Sequence, residues 1–503
     1  MDLKKTRKGL LSAVMAALLV LVMGATTAFA AGTGAITITN AAKGQSYSLY
    51  KIFDATVTAD NTLAYRVKAG EVKTAAEAAD SPFTVSKESD VDGWFNVTPK
   101  GATPEKVTAW VKKHFVKSDV VSGITKIDTK TASGRTVEFA GLDFGYYYVT
   151  TSNGSAVNLN NAGSQKVEIK DKNTNKPVVP EEGGKDNLKT IVQAHGNDIT
   201  GHQSNGSAAI GDTVKFKIAF GTTNFEGDKV VTAYTVTDTP KGLKIKQDSV
   251  VVKVAGKKIN TPGDYTISFD EAGKMTIVIK WANGEGDTAE PIYNQGDKVE
   301  IAYEAVVTAE KGTNSASVKT NNTTDGGITD PDNTVETCSL HLIKIDEAKV
   351  MLNGAQFKLY KTNADSKTAV KFVKAGDVYT VANDEQIASG KNITDVIDAG
   401  KVEVKGLAND YTYYLEEIKA PNGYNKIEGL IEVNMKNGLA DSQIVMKDKT
   451  HYTSGGLSIE NRKGGQMPET GGMGTTILYI AGAALIVCAG VALVARRRAS
   501  INE

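Results

Sequence analysis

Short runs of alternating apolar and polar residues recur along this 503-residue chain and restrict its fold more than any other feature. Ala35-Ile-Thr-Ile-Thr39, Val214-Lys-Phe-Lys-Ile218, Met275-Thr-Ile-Val-Ile279 and Val299-Glu-Ile-Ala-Tyr-Glu304 are examples. Successive side chains of a strand point to opposite faces, so these runs suit strands with one buried side. They are rich in Val, Ile, Thr and Tyr and bounded by Gly, Asn and Asp, as strands and their turns require. Many short strands, spaced about ten residues apart, predict a mainly β chain built as antiparallel sandwiches. One stretch reads as helix: Thr103 is an N-cap candidate before Pro104 and Glu105, and Val107, Trp110, Val111, His114 and Phe115 follow at helical spacing. A weaker helix is expected over Val72 to Ala79.

Both ends carry their own signals. Lys4, Lys5, Arg7 and Lys8 precede an apolar run from Leu10 to Met23, then Ala28-Phe29-Ala30. That order is a secretory leader over residues 1–30, cut after Ala30. Residues 475–495 are uncharged and precede Arg496-Arg497-Arg498, which predicts a membrane-crossing segment with its tail inside the cell. The 58 basic and 58 acidic residues balance, so electrostatics gives no case for binding nucleic acid. Of the two cysteines, Cys488 lies in the apolar C-terminal segment, leaving Cys338 without an internal bridging partner. An exported chain without disulfides needs another source of stability. Polar, Pro- and Gly-containing joins near 177–185 and 321–336 divide the interior into segments 31–177, 185–335 and 337–463, followed by 464–503.

Met467-Pro468-Glu469-Thr470-Gly471, the apolar segment and the basic tail together resemble the LPXTG cell-wall sorting signal of Gram-positive bacteria, with Met in place of Leu. The resemblance implies that a sortase cysteine attacks the Thr470 carbonyl, releases Gly471 onward and passes the acyl group to an amine. Pilus-specific and housekeeping sortases, other pilin copies and peptidoglycan are the partners it implies. The precursor would be held transiently in the membrane, and the product attached covalently at the cell surface.

Tyr413-Tyr-Leu-Glu-Glu-Ile-Lys-Ala-Pro-Asn-Gly-Tyr424 resembles the E-box of sortase-assembled pilins and collagen-adhesin B-type domains, with Glu417 as the box acid. Leu340-His-Leu-Ile-Lys-Ile-Asp346 is similar to the first strand of such a domain and Leu457-Ser-Ile-Glu-Asn461 to its last. The family implies tandem immunoglobulin-like sandwiches in which a first-strand lysine and a last-strand asparagine condense, with loss of ammonia, into an isopeptide bond. The expected pair is Lys344 and Asn461. Parity supports the choice independently, since Leu340, Leu342 and Lys344 share a face, as do Leu457, Ile459 and Asn461, and Tyr413, Leu415 and Glu417. Burial disfavours charge, which favours a nucleophilic neutral amine and an acid able to polarise the asparagine carbonyl.

The middle segment offers a parallel set resembling the second domain of fimbrial subunits. Leu188-Lys-Thr-Ile-Val192, Tyr234-Thr-Val-Thr-Asp238 and Asn314-Ser-Ala-Ser-Val-Lys-Thr-Asn-Asn322 carry it. The expected bond joins Lys189 to Asn322 with Asp238 as the acid. Asn321 is the alternative, on the opposite face from Val318 by parity. The N-terminal segment resembles the first domain of the same pilins, and no Lys/acid/Asn set is evident in it.

Shaft pilins of this family carry a Val-Tyr-Pro-Lys segment whose lysine accepts the next subunit. Here the matching place reads Val178-Val179-Pro180-Glu181, and Lys176 and Lys185 are the neighbouring candidates. The leading expectation is a self-crosslinked shaft subunit supporting adhesion. The alternative is a monomeric wall-anchored adhesin, or a basal or tip pilin, that binds a host surface ligand. The five scattered histidines have no metal-ligand spacing, and no motif for a cofactor, a metal or turnover catalysis is evident.

Overall fold

The computed structural model describes most of residues 34–464 and scattered helical positions between 483 and 492. Within 34–464 it leaves out 59–61, 152–154, 160–165, 174–176, 178–180, 183–184, 187, 195–196, 204, 324–326, 331–332, 410, 436–443, 447–449 and 454–455. The expected leader, Lys176 and Met467–Gly471 lie outside the described residues. Among those described, no helix is long and apolar enough to cross a membrane. The structure is mostly strands with a few short helices, arranged as tandem pairs of sheets. Two compact units are formed, one of residues 1–338 with 381–389 and 405–409, the other of 339–380, 390–404 and 410–503.

The first unit contains two pairs of sheets. In the first pair the main elements are β1 (Gly34–Thr39), β2 (Ser46–Val57), α1 (Glu71–Ala76), α2 (Pro104–Phe115), β3 (Thr136–Leu142) and β4 (Lys166–Lys170). Strand β1 lies between β4, parallel to it, and β3, antiparallel. Strand β2 belongs to the facing seven-stranded sheet. The alternating residues Ile36 and Ile38 point inward against Leu49, Phe139 and Ile169. Helix α2 begins as expected: the Thr103 hydroxyl caps it by accepting from the Lys106 N–H. Its apolar stripe, Val107, Trp110, Val111 and Phe115, packs with Phe53 and Phe83 in a second core. Helix α1 covers the first half of the weaker stretch and ends at Ala76.

In the second pair the elements nearest the candidate chemistry are β5 (Lys189–Ala194), β6 (Thr213–Gly221), β7 (Ala233–Lys241), β8 (Lys298–Val307), β9 (Lys311–Thr320) and β10 (Asn333–Glu336). Strands β5, β6 and β8 are antiparallel neighbours in one seven-stranded sheet; β7, β9 and β10 are antiparallel neighbours in another. In the second unit, β11 (Cys338–Ile345), β12 (Ala355–Tyr360), β13 (Tyr411–Lys419) and β14 (Gly456–Glu460) frame the last core. There β11 and β14, the first and last of these strands, run parallel, with Lys344 opposite Ile459. Strands β12 and β13 pair antiparallel in a separate sheet, with Phe357 opposite Glu417.

One polar group crosses the first core. The buried Tyr47 hydroxyl donates to Asp171 Oδ2 at 2.8 Å and accepts from the Ala42 N–H at 2.8 Å. Burial and the neighbouring carboxylate push this phenol well above its usual pKa, so it remains a donor. Removing the hydroxyl takes one hydrogen bond away from each of two buried groups. Tyr47→Phe should therefore destabilise the first sheet pair by about 1–3 kcal/mol. Hydrogen exchange in β1 and β2 of the full chain should speed up accordingly, and unchanged protection would refute this account.

Candidate functional site

Two buried clusters combine a lysine, an acid and an asparagine. Lys189 and Lys344 are the buried lysines among the described residues. Both occupy inward positions where a hydrocarbon would ordinarily sit, so each must find partners inside the core.

In the second unit the expected trio is brought together. Lys344, Glu417 and Asn461 are each at most 1% exposed. Lys344 Nζ lies 3.7 Å from Glu417 Oε1 and donates to the Ile459 carbonyl at 2.9 Å. The Asn461 amide nitrogen donates to Glu417 Oε2 at 3.0 Å and to the Asn425 carbonyl at 2.6 Å. Glu417 Oε2 also accepts from the Ile427 N–H at 2.6 Å. The carboxylate thus stands between amine and amide. Burial pulls the Lys344 amine down to about 8, with Glu417 opposing the shift. Roughly a tenth of the amine is then neutral at pH 7, the form that nucleophilic attack requires.

In the first unit the same logic is built differently. Lys189 reaches from β5 across to the other sheet, where Nζ lies 2.6 Å from Asp238 Oδ2; both side chains are fully buried. The Lys189 amine also stands over the rings of Phe216 and Tyr303. The Tyr303 hydroxyl donates to Asp238 Oδ2 at 2.6 Å and accepts from the Asn314 amide nitrogen at 3.1 Å. Asn314 is 0% exposed, and its Oδ1 has no hydrogen-bond partner among the described residues.

Asn322, the expected partner of Lys189, is not in this cluster. Strand β9 ends at Thr320, so Asn322 falls in the following turn, where its amide donates to the Val230 carbonyl at 2.8 Å. Asn321 also lies outside the core, accepting from Thr232 and Ala233 N–H groups. Parity had assigned Asn322 to the face of Ala316 and Val318, but parity carries only as far as the strand. Asn314 has the same parity, lies within β9 opposite Pro240, and is the asparagine brought to Tyr303 and Asp238. Tyr303 was missed as well. Its signal was its place in the alternating run Val299-Glu-Ile-Ala-Tyr, whose odd-numbered members are buried.

In the first sheet pair the buried polar groups include Asn40, Asp171 and Asn173, with no lysine among the described residues. Lys185 belongs to a two-residue strand paired with Glu181–Glu182, directly opposite Glu182.

Residues 338–450 match the family described as SpaA: Prealbumin-like fold domain. The matched segment is less than a quarter of the chain. It contains Lys344 and Glu417 and stops short of Asn461. Among solved structures, the chain is similar to the pilus 2b backbone protein of group B streptococcus, at 21% identity over 56% of this chain and 100% of that one, with a TM-score of 0.38. It is also similar to BcpA, the major pilin subunit of Bacillus cereus, at 16% identity over 86% and 100%, with a TM-score of 0.37. RrgB, the major pilin of Streptococcus pneumoniae, aligns at 12% identity over 87% and 100%, with a TM-score of 0.43. No curated protein matches the chain.

Removing the acid from the last cluster would leave the Lys344 amine, the Asn461 amide and the Ile427 N–H without their common partner. Glu417→Ala should destabilise that core by on the order of 3–5 kcal/mol, as expected when one member of a buried charged pair is removed. Thermal unfolding combined with limited proteolysis of the second unit should register the loss; a wild-type melting profile would contradict it.

Proposed function

We propose that this chain is a structural subunit of a covalent surface pilus, joined by sortase through Thr470 and braced internally by self-formed Lys–Asn isopeptide bonds. The two buried lysine–acid–asparagine clusters carry this reading. The SpaA family match over 338–450 supports it for the last third, and the sorting motif Met467-Pro468-Glu469-Thr470-Gly471 supports the attachment step.

In the last cluster the neutral Lys344 amine attacks Asn461 Cγ, Glu417 moves a proton from the amine towards the amide nitrogen, and ammonia leaves. In the middle cluster Lys189 and Asn314 are the reacting pair, with Asp238 as the acid. Asn314 replaces Asn322 in this reading because it shares the Tyr303–Asp238 hydrogen-bond chain. No outside enzyme is needed, since burial supplies both the reactive amine and the dry surroundings. Each bond closes a loop of somewhat more than 100 residues. By analogy with a disulfide of that span, each restricts the unfolded chain by on the order of 5 kcal/mol.

The mature full-length chain should be lighter than its sequence mass by two ammonia molecules. Lys344→Ala and Asn314→Ala should each restore one, whereas Asn322→Ala should restore none. A wild-type chain at the full sequence mass would refute internal crosslinking altogether.

Glu181, standing where the shaft family has its acceptor lysine, favours a second reading as a monomeric wall-anchored adhesin or a basal or tip subunit that contacts a host surface ligand. Peptide mapping of surface material separates the two. Thr470 joined to Lys176 or Lys185 of another copy is expected for a shaft subunit. Thr470 joined solely to peptidoglycan would exclude that role.

A further inference from the structure

The two clusters differ at one point that chemistry makes consequential. In the last cluster the asparagine nitrogen touches the acid directly, Asn461 Nδ2 lying 3.0 Å from Glu417 Oε2. In the middle cluster the acid is an aspartate, one methylene shorter, and the Asn314 nitrogen touches Tyr303 instead. Tyr303 spans the interval, with its oxygen 3.1 Å from Asn314 Nδ2 and 2.6 Å from Asp238 Oδ2. The lysine contacts that same carboxylate oxygen at 2.6 Å. Amine, carboxylate, phenol and amide nitrogen therefore form one uninterrupted chain, which is what carrying a proton from nucleophile to leaving group requires.

We infer that Tyr303 is a catalytic proton relay between Asp238 and the departing nitrogen of Asn314. The inference rests on the proposed Lys189–Asn314 bond and assigns the step by which ammonia is released. One C–N bond forms, from Lys189 Nζ to Asn314 Cγ, and one breaks, from Cγ to Nδ2. The proton lost by the neutral amine passes to Asp238 Oδ2. Tyr303 gives its hydroxyl proton to the departing nitrogen and takes a proton back from Asp238. Ammonia leaves, and Tyr303 and Asp238 end as they began.

The surroundings suit this role. Tyr303 is 2% exposed, and its ring stacks on Phe216 with centroids 5.6 Å apart and planes 17° from parallel. The relay oxygen is thus held by packing as well as by hydrogen bonds. Burial and Asp238 push its phenol well above the usual range, so it remains protonated at neutral pH. A phenol that passes on one proton while accepting another need never become a free phenolate.

Tyr303→Phe keeps the stacked ring and removes only the oxygen, so it tests the chemistry more than the packing. The full chain would be made by cell-free synthesis and sampled over time, with each ammonia loss assigned by peptide mapping. Expected is a slowing of the Lys189–Asn314 bond by about 100-fold, the lower end of what general acid–base groups contribute. The Lys344–Asn461 bond in the same molecules should form at the wild-type rate, providing an internal clock. The solvent deuterium isotope effect on the middle bond should also fall, a change that loss of packing alone would not cause. Middle-bond formation at the wild-type rate in Tyr303→Phe, or slowing with an unchanged isotope effect, would overturn the relay. Failure of the underlying bond is distinguishable, because the wild-type chain would then yield no Lys189–Asn314 peptide at any time.

Discussion

An amine and a carboxylic acid placed inside an apolar sandwich set the terms for much of this molecule. Neither group tolerates isolation in a low-dielectric core, so each must find a partner there or lose its charge. Around Lys344, β13 supplies the acid and β14 a backbone carbonyl, while the chain beyond these strands supplies the Asn461 amide and the backbone groups of Asn425 and Ile427. Around Lys189, the strands also supply two aromatic faces and a phenol. Around Lys344 the pairing is mixed, and the parallel contact of β11 with β14 brings together groups far apart in sequence. A parallel pair cannot be made by a tight hairpin; it needs a long connection. That connection contains β12 and β13, and β13 brings the acid.

The same burial links stability to reactivity. An uncompensated amine in the core costs free energy, and its lowered proton affinity reflects that cost. An amide bond in its place would remove the ionisable group and turn a point of weakness into a brace. The chain has only Cys338 and Cys488, and Cys338 lies in β11 while Cys488 falls in the apolar C-terminal segment. Long-range restraint of the interior must therefore come from packing or from chemistry other than a disulfide. In the proposed bonds, tension applied between the ends of a sheet pair would run through covalent links rather than through strand hydrogen bonds alone.

Much of this was legible from two-residue periodicity. Lys344, Glu417 and Asn461 could be placed because each sits within, or immediately beyond, a long alternating run, and a strand with one buried face permits only one register. Asn322 failed for the complementary reason: alternation says which face a residue occupies but not where the strand ends. Thr320 closes β9, and the next residues turn outward to bond Val230, Thr232 and Ala233. Tyr303 was legible as a buried aromatic and illegible as a functional one. Its hydroxyl acquires meaning only when β8 in one sheet faces β7 and β9 in the other, and facing across a sandwich leaves no mark in local sequence.

The two clusters can be understood as two solutions to one geometric problem, how to place a single acid within reach of both amine and amide nitrogen. Glutamate has the reach to meet the amide directly. Its position is fixed by backbone: the Ile427 N–H holds the carboxylate and the Asn425 carbonyl holds the amide. Aspartate lacks that reach, and the gap is filled from the opposite sheet by a phenol whose ring is already needed for packing. The shorter acid lies closer to its lysine, at 2.6 Å against 3.7 Å, which places amine and acid in direct hydrogen-bond contact. Exchanging only the acids, Glu for Asp or Asp for Glu, would therefore not exchange the clusters. A glutamate at 238 would crowd Tyr303, and an aspartate at 417 would pull back from Asn461 with no phenol to bridge the space. Each acid is matched to its own neighbours, and it is this match, more than the identity of the three residue types, that would position the groups for the proposed reaction.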